Sequence, residues 1–177
     1  MSTTTTITQI PAGVYNLDPV HSTFGFAVTH NGVSKFRGHF EKADARLQDG
    51  RLVGTAQVDS VKTSIEQLKD HLLSPEFFDA ANTPTITFSS SDIRIAEDGG
   101  AEVDGELTIR GITKPVTAVG RYGYGVGISG SEVVGLDLEA SIDRREFGLN
   151  WQAPLPSGGD ALAWEVSLEV HLELVKE

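Results

Sequence analysis

Asp18, His21 and Ser22 place the residue types of a hydrolytic triad within five positions. A triad needs a base that reaches its nucleophile by a hydrogen bond while a carboxylate orients the base. On an extended chain His21 and Ser22 point to opposite faces, so this spacing does not build one. Asp18 ahead of Pro19 suits a turn in which its carboxylate accepts backbone hydrogen bonds, with His21 and Ser22 tying that turn to an adjoining strand. The five histidines, His21, His30, His39, His71 and His171, lack the close helical spacing of a metal site, although sheet folding can still gather distant ones. Arg110, Lys114, Arg144 and Arg145 are of the type that meets a pyrophosphate or carboxylate. Asp143 and Glu146 flank the last two, which makes a local ion-pair cluster the competing reading. No glycine-rich phosphate loop, nucleophile elbow or paired acid and base stands out. The reading is therefore of no catalytic residue, no metal and no cofactor.

The elements that would position these groups are strands. From Ala163 to Leu174 the chain alternates strictly, with Trp164, Val166, Leu168, Val170, Leu172 and Leu174 on one side and mostly acidic or polar residues on the other. Ala101, Val103, Gly105, Leu107 and Ile109 repeat the pattern, as do Val134, Leu136, Leu138, Ala140 and Ile142. Further strands fall at Val14 to Leu17, Ser22 to His30, Val33 past Phe36 and Phe40, Ala43 to Gln48 and Leu52 to Asp59. Thr85 to Ser89, Asp92 to Ala96 and Val116 to Val126 complete the set. Asn31-Gly32 and Asp49-Gly50 are tight hairpin dipeptides, and a looser turn is expected around Gly111 to Pro115. The period changes between Thr63 and Leu73, where Ile65, Leu68 and Leu72 fall at helical spacing and Ser64 with Gln67 has the form of a capping box. A second short turn starts at Ser74-Pro75 and carries Phe77 and Phe78. The irregular stretch 150–160 is either a lid or a passive connector.

Long antiparallel strands with one dry face must cover that face, and curling into a barrel also removes the edges. The fold class is all-β: a single antiparallel barrel of about eight strands with a short helical insertion. Residues 1–12 form a flexible polar opening and 13–177 the domain. At 177 residues and 19.0 kDa the chain suits one domain that hides roughly 70% of its unfolded surface. A formal charge of -11 opposes nucleic acid and anionic surfaces as partners. The chain has no cysteine, hence no disulfide and no thiolate chemistry. No signal peptide or apolar span is visible, so the expected setting is cytoplasmic without stable membrane insertion, or periplasmic or secreted if a leader has been removed. A homodimer stays open.

Four blocks resemble the YceI-like family, whose members adopt a lipocalin-like barrel and bind polyisoprenoids or other lipids. The first runs from Tyr15 through Asp18, His21 and Ser22 to Gly38 and Phe40, with Tyr15 where the family often has Trp. The second contains Asp70-His71-Leu72, Phe77-Phe78-Asp79 and Pro84, Ile86, Phe88 and Ser90, with Lys69 where Arg is more usual. The third is Gly105 to Val116, and the fourth is Arg144, Glu146, Phe147 and Gly148, with Glu146 where Asp is commoner. The resemblance implies a non-enzymatic carrier that holds a long-chain isoprenoid or other lipid.

An apolar chain entering the barrel gains about 0.8 kcal/mol per CH₂ removed from water. Eight strands leave an interior only just wide enough for a core or one slender ligand. The small inward residues Ala101, Gly105 and Ala140 favour open space. The candidate contacts are Phe24, Phe26, Val28, His30, Phe77, Phe78, Leu107, Ile109, Leu136, Leu138, Arg144, Arg145, Trp164, Val166 and Leu168. His30 shares the parity of Phe24, Phe26 and Val28 and can face a ligand head at the rim or be satisfied by backbone. Phe77 and Phe78 line an entrance or pack as core, since adjacent aromatic residues cannot both face one small cavity. The rival functions are an isomerase or cyclase with polar groups deep in the cavity, and an interaction module working through its loops.

Overall fold

A computed structural model describes residues 7–177, and residues 1–6 of the expected flexible opening lie outside it. The strands, in chain order, are β1 (Ile7–Thr8), β2 (Val14–Leu17), β3 (Thr23–His30), β4 (Ser34–Phe40), β5 (Ala43–Gln48), β6 (Arg51–Gln57) and β7 (Val61–Thr63). The helix α1 (Gln67–Leu73) follows, then β8 (Thr85–Ala96), β9 (Gly100–Ile109), β10 (Ile112–Val126), β11 (Glu132–Asp143) and β12 (Leu162–Lys176). β11, β10, β9, β8, β6, β5, β2 and β12 lie side by side in antiparallel pairs, and β12 pairs again with β11. The result is a closed eight-stranded barrel. β12 is long enough to hold β2 through 174–176 and β3 through 162–171, so β3, β4 and β7 extend the wall at one end. β1 pairs with the end of β8 and Ile10 packs on the core, so order begins before the expected boundary at residue 13.

Local chemistry explains most of the boundaries. Asn31-Gly32 and Asp49-Gly50 both take two successive positive φ angles, the backbone that suits a twisted hairpin. Arg110-Gly111 does the same, with φ 54° and 72°, and Ile109 pairs directly with Ile112. The expected looser turn is thus a two-residue one, and Pro115 lies exposed inside β10. The capping box does not form. Thr63 is still paired with Gly38 in the sheet, and its hydroxyl bonds to Ile65, so the ladder delays the helix to Gln67. β8 is one strand rather than two, with a bulge between Ser90 and Asp92. That extra residue switches the inward parity from Ile86 and Phe88 to Ile93 and Ile95.

The interior divides into two halves along the barrel axis. Near the turns at 49–50, 97–99 and 127–131 it is filled by Tyr15, Leu47, Leu52, Ile95, Val103, Val134, Leu136, Leu172 and Leu174. Tyr15 is the largest of these and is fully buried. Each of the aliphatic side chains contributes about 1.5–3 kcal/mol of burial. The other half, toward α1 and the segment 144–161, holds the cavity. Filled core and hollow barrel, posed as alternatives by the sequence, are both present.

Candidate functional site: an apolar cavity in the open half of the barrel

The cavity has a volume of about 590 Å³. Its floor is made by Ala45, Leu52, Leu138 and Leu172, which also belong to the core below. Its walls are Phe24, Phe26, Val28, Phe88, Leu107, Ile109, Ala140, Ile142, Val166, Leu168 and Val170. Large rings fit because glycines face them across neighbouring strands. A Cβ on Gly38 would lie 2.5 Å from the Phe26 ring, and one on Gly105 would lie 2.5 Å from the Phe88 ring. Gly105 therefore makes room for an aromatic side chain rather than for open space, and Ala101 sits in the filled half. Ala140 does face the cavity.

Aromatic side chains gather at the opening. Phe26 packs on Phe36 and Phe40 at 6.4 and 5.8 Å between centroids, and Phe40 meets Phe78 edge to face at 5.8 Å. His71 on α1 lies edge-on to Phe77 at 4.8 Å and to Trp151 at 5.2 Å, and its Nε2 shares a hydrogen bond with Glu76 at 2.7 Å. Phe77 and Phe78 both line the cavity, contrary to the expected exclusion, because their segment is a series of turns and not an extended strand. Arg110 fixes this segment by donating to the carbonyls of Pro75 and Phe77. His30 lines the cavity at its exposed rim.

Arg144 does not belong to an ion-pair cluster. It is 2% exposed and donates to the carbonyls of Leu149 (2.6 Å), Trp151 (2.8 Å), Ala163 (2.8 Å) and Leu162 (3.1 Å). The guanidinium thus staples both ends of the irregular stretch and holds Trp151 against α1. Burial pushes its pKa down, against the fields of Asp143 and Asp160. Arg145 is the ion-pair member, bonded to Asp143 at 2.6 Å. Neither Arg145 nor Trp164 lines the cavity. The pairing of β12 with β3 slips between Leu162 and Val166, and Trp164 turns away to form a platform under both guanidinium groups, 4.2 and 4.8 Å from its ring centre. Leu136 is also outside the lining because it lies too far down, in the filled half. The remaining expected residues, Phe24, Phe26, Val28, Leu107, Ile109, Leu138, Val166 and Leu168, are in the lining.

Phe36, Phe40, Phe88, Leu68, Leu72 and Trp151 also line it and were not anticipated as contacts. For Phe36 and Phe40 the signal was shared parity along one strand, and for Phe88 its parity with Ile86. Trp151 carried no such signal, since its direction is set by the Arg144 staple.

The Asp18 turn stands on the outer wall where β2 leaves β12 beside Glu173, and it is structural. Asp18 accepts from the Val20 amide at 2.9 Å and bonds His21 Nδ1 at 2.8 Å, while the Ser22 hydroxyl accepts from the Glu173 amide at 3.0 Å. Ser22 is thereby engaged with β12 instead of with His21. Sheet folding does gather Asp18, His21 and Glu173, whose ligand atoms lie within 4.8 Å of one another. None of the three lines the cavity, and His21 Nδ1 is already taken by Asp18. Among the described residues no helix is long and apolar enough to cross a membrane.

The geometry has close counterparts. The model of a family described as the YceI-like domain matches residues 15–174. A UPF0312 protein of Staphylococcus aureus strain USA300 is 30% identical over 169 residues, covering 90% of this chain and 95% of that protein. Among solved structures, Burkholderia cenocepacia BcnA superposes with a TM-score of 0.69 at 23% identity over 89% of this chain and 98% of that one. A polyisoprenoid binding domain from Saccharophagus degradans gives a TM-score of 0.69 at 15% identity over 92% and 98%. A YCEI protein of Campylobacter jejuni gives 0.70 at 23% over 84% and 90%. With its barrel, its motif blocks and a family match over nearly its whole length, this chain belongs to the YceI-like domain family.

Proposed function

We propose that this protein binds and carries a long apolar molecule, a polyisoprenoid or related lipid, in the open half of its barrel. The observation that carries the reading is a ready-made cavity of about 590 Å³ whose walls are almost wholly aliphatic and aromatic. Each CH₂ transferred into it contributes about 0.8 kcal/mol before the cost of ordering the chain. The polyisoprenoid binding domain of S. degradans, which shares the fold, supports the same ligand class.

The head group needs no charge. Four N–H groups of Arg144 already serve backbone carbonyls, and Lys35, the other cation in the lining, is exposed at the rim. Among the described residues the lining includes no aspartate or glutamate, and its histidines, His30 and His71, sit toward the opening. This arrangement speaks for a carrier over an isomerase or cyclase, which would place an acid or base beside the substrate chain.

The direct test is to extract the purified protein with organic solvent and identify what leaves it by mass spectrometry. The stripped protein is then offered a long-chain isoprenoid. Recovery of an apolar ligand, or saturable uptake, is the expected result. A clean extract together with no uptake overturns the reading.

A further inference from the structure

We propose that the open end of the barrel docks on the surface of a lipid bilayer, so that ligand passes between bilayer and cavity without crossing water. The inference rests on the apolar ligand proposed above, but its own basis is the shape and chemistry of the rim. Ile65 and Leu68 line the cavity and are nevertheless 49% and 36% exposed, which makes them one lip of the opening. The adjoining stretch of the rim is the β3–β4 hairpin, where His30, Ser34 and Lys35 line the cavity and Val33 between them is 85% exposed. Aliphatic side chains held in water along the rim of an apolar opening lose that exposure in a head-group layer. Trp151 lies at the same rim, and tryptophan favours the interfacial zone.

Charge sets the orientation. Around the opening Lys35, Lys62 and Lys69 form no ion pair among the described residues and balance Glu66, Asp70 and Glu76 nearby in the chain. Lysines at such a rim can keep their ammonium groups at phosphate level while their stems lie on apolar surface. The opposite end carries Asp49, Glu97, Asp98, Glu132 and Glu177, of which Glu132 is paired with Lys176. A chain of net charge -11 therefore concentrates its repulsion away from the mouth. The opposite end exposes apolar residues too, notably Ile128, but they stand among those carboxylates and over the filled half of the barrel. A bilayer fits the mouth better than a protein partner because the occupant must be continuous with an apolar ligand.

The test follows transfer of a fluorescent long-chain isoprenoid from phosphatidylcholine vesicles to the stripped protein. The transfer rate is expected to rise with vesicle concentration. Val33→Asp is expected to slow it about tenfold, the cost of keeping one aliphatic contact out of the layer. Ile128→Asp, at the far end, leaves it unchanged. Val33→Trp speeds transfer, and its added fluorescence shifts to the blue with vesicles and is quenched by brominated lipid. Val33 is outside the cavity lining, so uptake from detergent micelles is the same in Val33→Asp as in the parent. Equal slowing by Val33→Asp and Ile128→Asp, a rate independent of vesicle concentration, or transfer that requires an added protein overturns the docking. Failure of uptake from micelles as well as vesicles overturns instead the ligand reading beneath it.

Discussion

Arg144 is a buried cation whose bonded partners, among the described residues, are all carbonyls, and this decides what it does. Such a group costs solvation and is kept only where its hydrogen bonds replace water well. Here they close the two ends of a loop that the sequence alone leaves irregular. Arg144→Met leaves four carbonyls without donors in a dry site, and a loss of about 2–4 kcal/mol is expected in chemical denaturation. Arg144→Lys restores only part of it, because an ammonium lacks the planar fork that reaches carbonyls on both sides. An unchanged denaturation midpoint in Arg144→Met would show the staple to be idle. The Asp18–His21 pair makes a smaller, pH-dependent contribution. His21 is raised above its ordinary 6.5 by the hydrogen bond it donates to Asp18 and then by that group's charge. Asp18 is lowered below 3.8 by the bond to His21 and then by the Val20 amide. A raised histidine stabilises the fold fully below pH 6.5 and loses its effect as pH climbs through the folded value. A depressed aspartate stabilises above pH 3.8 and loses its effect as pH falls through the folded value. The pair thus holds its turn most firmly between about pH 3.8 and 6.5. An NMR titration should place His21 above 6.5 and show it falling in Asp18→Asn; a His21 curve indifferent to that substitution would remove the pair from the account.

Strands were legible wherever one face was dry and the other wet, because a period of two admits only one assignment. β9 and β11 follow their alternation residue by residue, β12 does so from Val166 to Leu174, and β2 and β5 have the expected ends. What the pattern could not carry was any feature decided by contact with a distant element. The start of α1 depends on Thr63 being held by Gly38, and the bulge in β8 depends on partners on both sides. Trp164 obeys the parity of its strand yet leaves the interior, since a slip in pairing with β3 and two guanidinium groups outside draw it away. Leu136 obeys parity and is inward, but alternation says nothing about height along the barrel, and height separates filled core from cavity wall. Glycine was ambiguous for the same reason. An inward glycine reads as empty space until the ring lying on it, Phe88 over Gly105 or Phe26 over Gly38, is known.

The whole molecule is a tube stoppered at half its height, and that geometry limits what it can hold. The eight-stranded ring closes without a free edge in its lower half, where side chains meet across the axis. Above that stopper, the aromatic rings and α1 frame a space of about 590 Å³. A small group such as a water molecule or a methylene fills about 30 Å³ in a condensed phase, so the space takes on the order of 20 carbon atoms, or about four isoprene units. Each unit placed against the apolar walls adds a few kcal/mol before ordering costs, up to about that length. Units beyond it lie along the lips at Ile65 and Leu68, where only part of their surface is covered. Competition binding with isoprenoid alcohols of increasing length is therefore expected to give affinity that rises steeply to about four units and then flattens. Narrowing the cavity from its wall should move the break without abolishing binding: Ala140→Leu, whose added carbons project into the cavity, should shorten the optimum by about one unit. A series with no break, or one unmoved by Ala140→Leu while binding persists, would mean that the chain lies somewhere other than between these walls.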